Sequence, residues 1–208
     1  MRAGGPVARR IAARVGTGQS YRVRVRPPDR VGDGRATTSA GTGVGADGPV
    51  RVAAAAEYLA IGQLTATAYA GGDVDEPDSY LQVLRDPASR PADCTVLAVD
   101  DAAGTLLAAT TYIPAGSTVS QVARPGEAEL RMLAVRADAR GRGIGGRLVR
   151  AALDRARAES RSALVLCVIE DNAGARALYE RLGFARAPER DWHPNPAITL
   201  VAYRHALD

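Results

Sequence analysis

Arg140-Gly141-Arg142-Gly143-Ile144-Gly145 lies between an apolar stretch ending at Val135 and a run to about Glu159 in which Ile144, Leu148, Ala152 and Ala156 recur on one helical face. Glycines let the backbone turn sharply and bring several N–H groups to a ligand with no side chain in the way. A helix starting near Ile144 adds unpaired N–H groups and a positive dipole end at the same place. Arg140 and Arg142 can contribute charge-assisted bonds, so the run suits a pyrophosphate. A glycine-rich strand-to-helix turn with solvated arginines would read the same way. Gly141-x-Gly143-x-x-Gly146 also satisfies the dinucleotide fingerprint, with Glu170 as a candidate ribose-binding acid. Context opposes that assignment. Arg136 to Arg140 separate the strand from the first glycine, and only about 60 residues follow, too few for two mononucleotide-binding halves.

Outward from this loop, Leu130 to Val135 reads as the preceding strand and Ala163 to Ile169 as a strand buried on both faces. Ala175, Leu178, Tyr179 and Leu182 fall at helical spacing and stop at Gly183; Ile198 to Tyr203 reads as the last strand. Upstream, Cys94 to Val99 and Leu106 to Tyr112 form a hairpin about the turn-rich Asp100–Gly104. Val50 to Val52 alternates like a short strand. Ala53 to Tyr69 reads as a helix, and Ser79 with Gln82 has the pattern of a capping box opening a helix through Leu84. The order β-α-α-β-β-β-α-β-α-β indicates an α/β or α+β domain on a mixed sheet, with no internal repeats.

Behind the loop stands Asn172-Ala173-Gly174-Ala175-Arg176-Ala177-Leu178-Tyr179-Glu180-Arg181-Leu182-Gly183-Phe184. Arg-x-x-Gly-x-Gly (Arg140, Gly143, Gly145) followed by Asn-x-x-Ala-x-x-x-Tyr-x-x-x-Gly-Phe resembles the GCN5-related N-acetyltransferase (GNAT) superfamily. Glu127 to Val135 is similar to that family's central strand, and the resemblance spans about residues 50–208. It implies a mostly antiparallel mixed sheet flanked by helices, with central strands splayed at an acyl-CoA site. It further implies an acetyl-CoA-dependent N-acetyltransferase acting on a small-molecule or peptide primary amine by direct attack, without a metal. Backbone groups of Leu133, Ala134 and Val135 would hold the acetyl-pantetheine arm, and Arg140, Gly141, Arg142, Gly143, Ile144 and Gly145 the pyrophosphate. Leu133 and Val135 serve equally as strand core. Asn172 would bond the pantetheine or cap the next helix.

The attacking amine is mostly protonated at neutral pH, so the reaction needs a proton acceptor. Glu129 is the first candidate, directly or through water. Glu127, of the same strand parity, is the second. A carboxylate on a solvated strand edge is the bland account of both. Tyr179 stands where the family places its general acid, although a tyrosine on an apolar helix face is often core with a bonded hydroxyl. Acceptor binding would fall near Gly71–Leu84, with acidic Asp73, Asp75, Glu76 and Asp78, and near Ala187–Ala197, where Trp192-His193-Pro194 reads as a Pro-rich loop. His193 and His205 have no ligand-like partners. A domain of the same fold that binds acyl-CoA as a sensor, without catalysis, is the alternative.

Composition sets the remaining bounds. All 27 basic residues other than the two histidines are arginine. Residues 1–49 carry nine arginines against Asp29, Asp33 and Asp47, so the net charge of +4 resides in the head of the chain. This Arg/Gly-rich head has few apolar residues and is expected to be a disordered extension before a domain at 50–208. A transit peptide or a nucleic-acid-binding arm would share its composition, but only Tyr21 offers an aromatic, so nucleic acid is not the expected partner. Cys94 and Cys167 lie in apolar runs without metal-ligand spacing and are expected as reduced thiols. No apolar stretch approaches the length of a membrane span. A cytoplasmic protein is expected, and a homodimer is left open.

Overall fold

The computed structural model describes residues 47–70, 78–195 and 198–207. Most of the arginine-rich head and the acidic residues Asp73, Asp75 and Glu76 lie outside the described residues. The strands are β1 (Arg51–Val52), β2 (Thr95–Asp100), β3 (Leu106–Ile113), β4 (Glu127–Val135), β5 (Ala163–Ile169), β6 (Ala185–Arg186), β7 (Trp192–Asn195) and β8 (Ile198–Ala206). The helices are α1 (Tyr58–Ala70), α2 (Asp78–Arg85), α3 (Ile144–Ala158) and α4 (Ala173–Arg181). The strands make one sheet in the order β1-β2-β3-β4-β5-β8-β6, with β7 also paired to β8. Among the described strands only β4 and β5 pair in parallel; the other pairings are antiparallel.

The apolar run of β5 is central because it has neighbours on both edges. Leu164, Leu166 and Val168 face one side and pack with Leu148, Val149, Ala152 and Leu153 of α3. The other side of the sheet carries α1 and α2, where Ala66, Leu81 and Leu84 enclose Met132 of β4. Helix α1 approaches α2 closely through Gly62: a Cβ there would stand 2.4 Å from the Arg85 carbonyl oxygen. Gly62→Ala should therefore destabilise the fold by about 1–3 kcal/mol despite alanine's better helix propensity. A fall in the denaturant midpoint at unchanged slope is the expected observation.

Several expectations are corrected. The helix expected from Ala53 begins as a 3₁₀ turn at Ala55–Glu57 and becomes α-helical at Tyr58. Ala53 instead donates its N–H to Val96 O at 2.8 Å, so pairing with β2 overrides alanine's propensity. Helix α2 opens at Asp78, which puts Ser79 inside it rather than at its cap. Trp192-His193-Pro194 is not a loop but strand β7, paired to β8 alone; proline is tolerated there because β7 lies off the main run of strands. Strand β4 also starts earlier than the pattern suggests, at Glu127, and β8 runs on to Ala206.

Candidate active site

The site is made by a fault in the centre of the sheet. β4 pairs with β5 only from Glu127↔Ala163 to Leu130↔Leu166. Beyond that point Cys167, Val168 and Ile169 pair with β8 alone, and β4 turns away from them. The cause is a bulge. Between the pairs Thr111↔Arg131 and Ala109↔Ala134 one residue of β3 opposes two of β4, and Met132 has φ +58°. Positive φ on a non-glycine residue is strained, and such strain concentrates at functional sites. The extra residue reverses the parity of the strand. Ala128 and Leu130 face the α3 core before the bulge, whereas Leu133 and Val135 face it afterwards. Met132 is thereby delivered to the α1–α2 side.

At the end of β4 the glycine-rich loop enters α3. Gly141 and Gly143 have φ +76° and +77°, and Gly143 is the N-cap. Among the described residues beyond their chain neighbours, no atom stands within 4 Å of where a Cβ would be on either glycine, so both present open backbone. The first intrahelical bond runs from Arg147 N to Gly143 O, which leaves the preceding N–H groups of the first turn to other acceptors. Ile144 is buried beneath them as the core anchor of the loop. Gly145 lies against Leu133, Val135 and Leu178, so loop and bulged strand share one corner.

The two carboxylates of β4 have separate fates. Glu127 is ringed by donors: Arg190 at 2.5 and 3.0 Å, Arg204 Nε at 2.9 Å and Arg124 N at 2.9 Å. Burial alone would raise its pKa, but these bonds outweigh it and hold the group at about 2. Such a carboxylate does not accept protons near neutrality. Glu129 is 1% exposed, not at a solvated edge. Its Oε2 accepts from Ser120 Oγ (2.8 Å) and from the N–H groups of Gln121 (2.7 Å), Val122 (3.0 Å) and Ala123 (3.4 Å). Its Oε1 accepts no hydrogen bond from a described residue and stands 3.9 Å from Arg131 Nε.

Tyr179 is 6% exposed, with Phe184 edge-on at 5.8 Å and Tyr203 at 6.3 Å. Burial pushes its phenol well above the usual range, and its hydroxyl bonds no described residue. Asn172 caps α4, Oδ1 accepting from Ala175 N at 3.0 Å.

The sequence matches the profile of the acetyltransferase (GNAT) family over residues 59–184. The chain belongs to that family. Its class of chemistry is acyl transfer. Among solved structures, a GCN5-related N-acetyltransferase from Kribbella flavida is 26% identical, covering 76% of this chain and 96% of its own, with a TM-score of 0.55. The fold is shared with yncA of Salmonella typhimurium, solved with its cofactor acetyl-CoA (20% identity, 76% and 93% coverage, TM-score 0.53). It is also shared with a ribosomal-protein-alanine N-acetyltransferase from Brucella melitensis (20%, 76% and 99%, 0.54). No curated protein sequence matches.

Several contacts of this GNAT site escaped sequence reasoning, including those of Arg140 and Arg142, which that reasoning assigns to the pyrophosphate. Arg142 makes an ion pair with Asp47, and Arg147 donates to the Gly48 carbonyl, so the segment leading into β1 lies against the glycine loop. Arg140 reaches back to the carbonyls of Val135 and Ala68, both at 3.4 Å. Cys167 stands on β5 where the strands have parted. Burial pushes its thiol up to about 12, as does the nearby charge of Glu129, while the Trp192 indole acts the other way. Apart from Arg140 with Val135, these contacts join residues distant in the chain, and no sequence signal marks them.

Proposed function

We propose that the chain transfers the acetyl group of acetyl-CoA to a primary amine by direct attack. The observation that carries this reading is the parting of β4 from β5 at the Met132 bulge, beside a loop whose Gly141 and Gly143 present open backbone. An extended arm fits along the unpaired edge of Leu133, Ala134 and Val135. The first-turn N–H groups around Ile144 and Gly145 suit its pyrophosphate. When bound, acetyl-CoA supplies a thioester carbonyl open to a neutral amine. Glu129 Oε1 is the proton acceptor, acting through water because the side chain is buried. Its other oxygen is fixed by four donors, which holds the side chain in one place. Glu127, locked by Arg190 and Arg204, does not take this part. The Tyr179 hydroxyl, kept protonated by burial, donates to the leaving sulfur. The high pKa of Cys167 leaves it a poor nucleophile and favours direct transfer over an acyl-enzyme.

Arg142 supports the pyrophosphate once released from Asp47. Asp47→Asn frees that guanidinium and removes a negative charge from the loop, so it should tighten acetyl-CoA binding about twofold to fivefold, with a smaller gain at high salt. Calorimetry at two ionic strengths checks this. The function itself is tested by calorimetry with acetyl-CoA followed by thiol release over a panel of amines. Binding with amine-dependent release is expected; binding without release on any amine would indicate a sensor of the same fold.

A further inference from the structure

Arg90 is a buried cation on the α1–α2 side of the sheet. It is 2% exposed. Its Nη1 donates to Leu84 O (3.1 Å) and Ser89 Oγ (3.0 Å), its Nη2 donates to Thr65 Oγ1 (3.1 Å), and its Nε has no partner among the described residues. All three acceptors are neutral; among the described residues no carboxylate forms an ion pair with Arg90. Burial depresses its pKa, as does the charge of Arg131, while Tyr58, Tyr69 and, least of these, Asp86 act the other way. An arginine stays charged even so, and an uncompensated buried charge is costly.

Its surroundings belong to the acceptor side of the site. Arg131 is on β4, two residues from Glu129 and next to the bulge. Arg131 donates Nη1 to Val119 O at 3.1 Å, and Glu129 compensates its charge. Thr111 is the register partner of Arg131 on β3, and its buried hydroxyl has no hydrogen-bond partner among the described residues. Asp86 acts on Arg90 only at a distance, so among the described residues the guanidinium has no ion-paired counter-charge and keeps unused donors, which fits a monoanion better than a phosphate dianion. The planar guanidinium favours a carboxylate.

We propose that Arg90, assisted by Arg131 and Thr111, binds a carboxylate on the acceptor, so that the amine acetylated is that of an amino acid or a related amino-carboxylate. This rests on the acetyltransferase reading. The test measures kcat/KM for α- and ω-amino acids and for their carboxamides, normalised to unprotonated amine. Wild type should prefer the acids by about tenfold to a hundredfold. Arg90→Met should abolish that preference and Arg90→Lys should retain part of it, with acetyl-CoA affinity unchanged in both as the check on folding. Transfer to amines with no preference for acids in wild type overturns the carboxylate site and leaves the acetyltransferase reading standing. An acid preference that survives in Arg90→Met or, if that variant does not fold, stays at full strength in Arg90→Lys also overturns it. Acetyl-CoA binding with no transfer to any amine overturns both.

Discussion

Tyr179→Phe is expected to lower kcat by roughly a hundredfold or more while leaving acetyl-CoA affinity within about twofold of wild type, because a positioned general acid contributes on that scale. The substitution removes one oxygen. The ring keeps its contacts with Phe184 and Tyr203, and no hydrogen bond to a described residue is lost, so stability should hold. Burial keeps the phenol protonated throughout the neutral range, as a donor to the departing thiolate requires. Steady-state kinetics and calorimetry on the same preparation separate turnover from binding. Unchanged kcat would remove Tyr179 from the chemistry.

The second large effect is on stability. Arg190→Met should cost about 3–5 kcal/mol, because it strips a buried carboxylate of its principal partner. Glu127 and Arg190 side chains are 6% and 7% exposed, and Glu127 is left with Arg204 and the Arg124 N–H. The pair ties the start of β4 to the turn at Pro188–Arg190, and so anchors the strand that carries Glu129 and the bulge. The pH dependence follows in sign. Glu127 lies at about 2 when folded and near 4.5 when unfolded, so its stabilisation is complete above 4.5 and lost as pH falls towards 2. In wild type this contribution amounts to about 3 kcal/mol. In Arg190→Met the folded pKa rises towards the unfolded value, so the loss still begins near 4.5 but is smaller and is complete at higher pH, and the gap to wild type should narrow as pH falls. Urea denaturation at pH 7, 4 and 3 measures both effects; a variant as stable as wild type at all three would contradict the assigned role of the pair.

Much of this architecture is local enough to be read from the chain. The glycine loop, the continuous apolar run of β5 and the Asp101–Gly104 turn each announce themselves by residue type. At the turn, Asp101 Oδ1 accepts from Ala103 N and Thr105 N while Gly104 takes φ +79°. What could not be read depends on partners distant in sequence. Met132 carries no mark of its positive φ, which follows from the registers of β3 and β4. Glu129 looks like an edge carboxylate until the 120–123 segment folds over it. Arg90 stands in Asp86-Pro87-Ala88-Ser89-Arg90-Pro91, a composition typical of an exposed turn, yet α1 buries it. Tyr179 differs: a spacing motif pointed to its position, and packing explains its protonation.

Acyl transfer at the parted strands is most directly tested by mixing enzyme with acetyl-CoA in equal amounts and following free thiol before and after adding the best amine of the panel. The proposed mechanism predicts no thiol beforehand and one equivalent afterwards. One equivalent released before the amine would point to an acyl-enzyme and contradict direct attack, and none released afterwards would contradict catalysis itself.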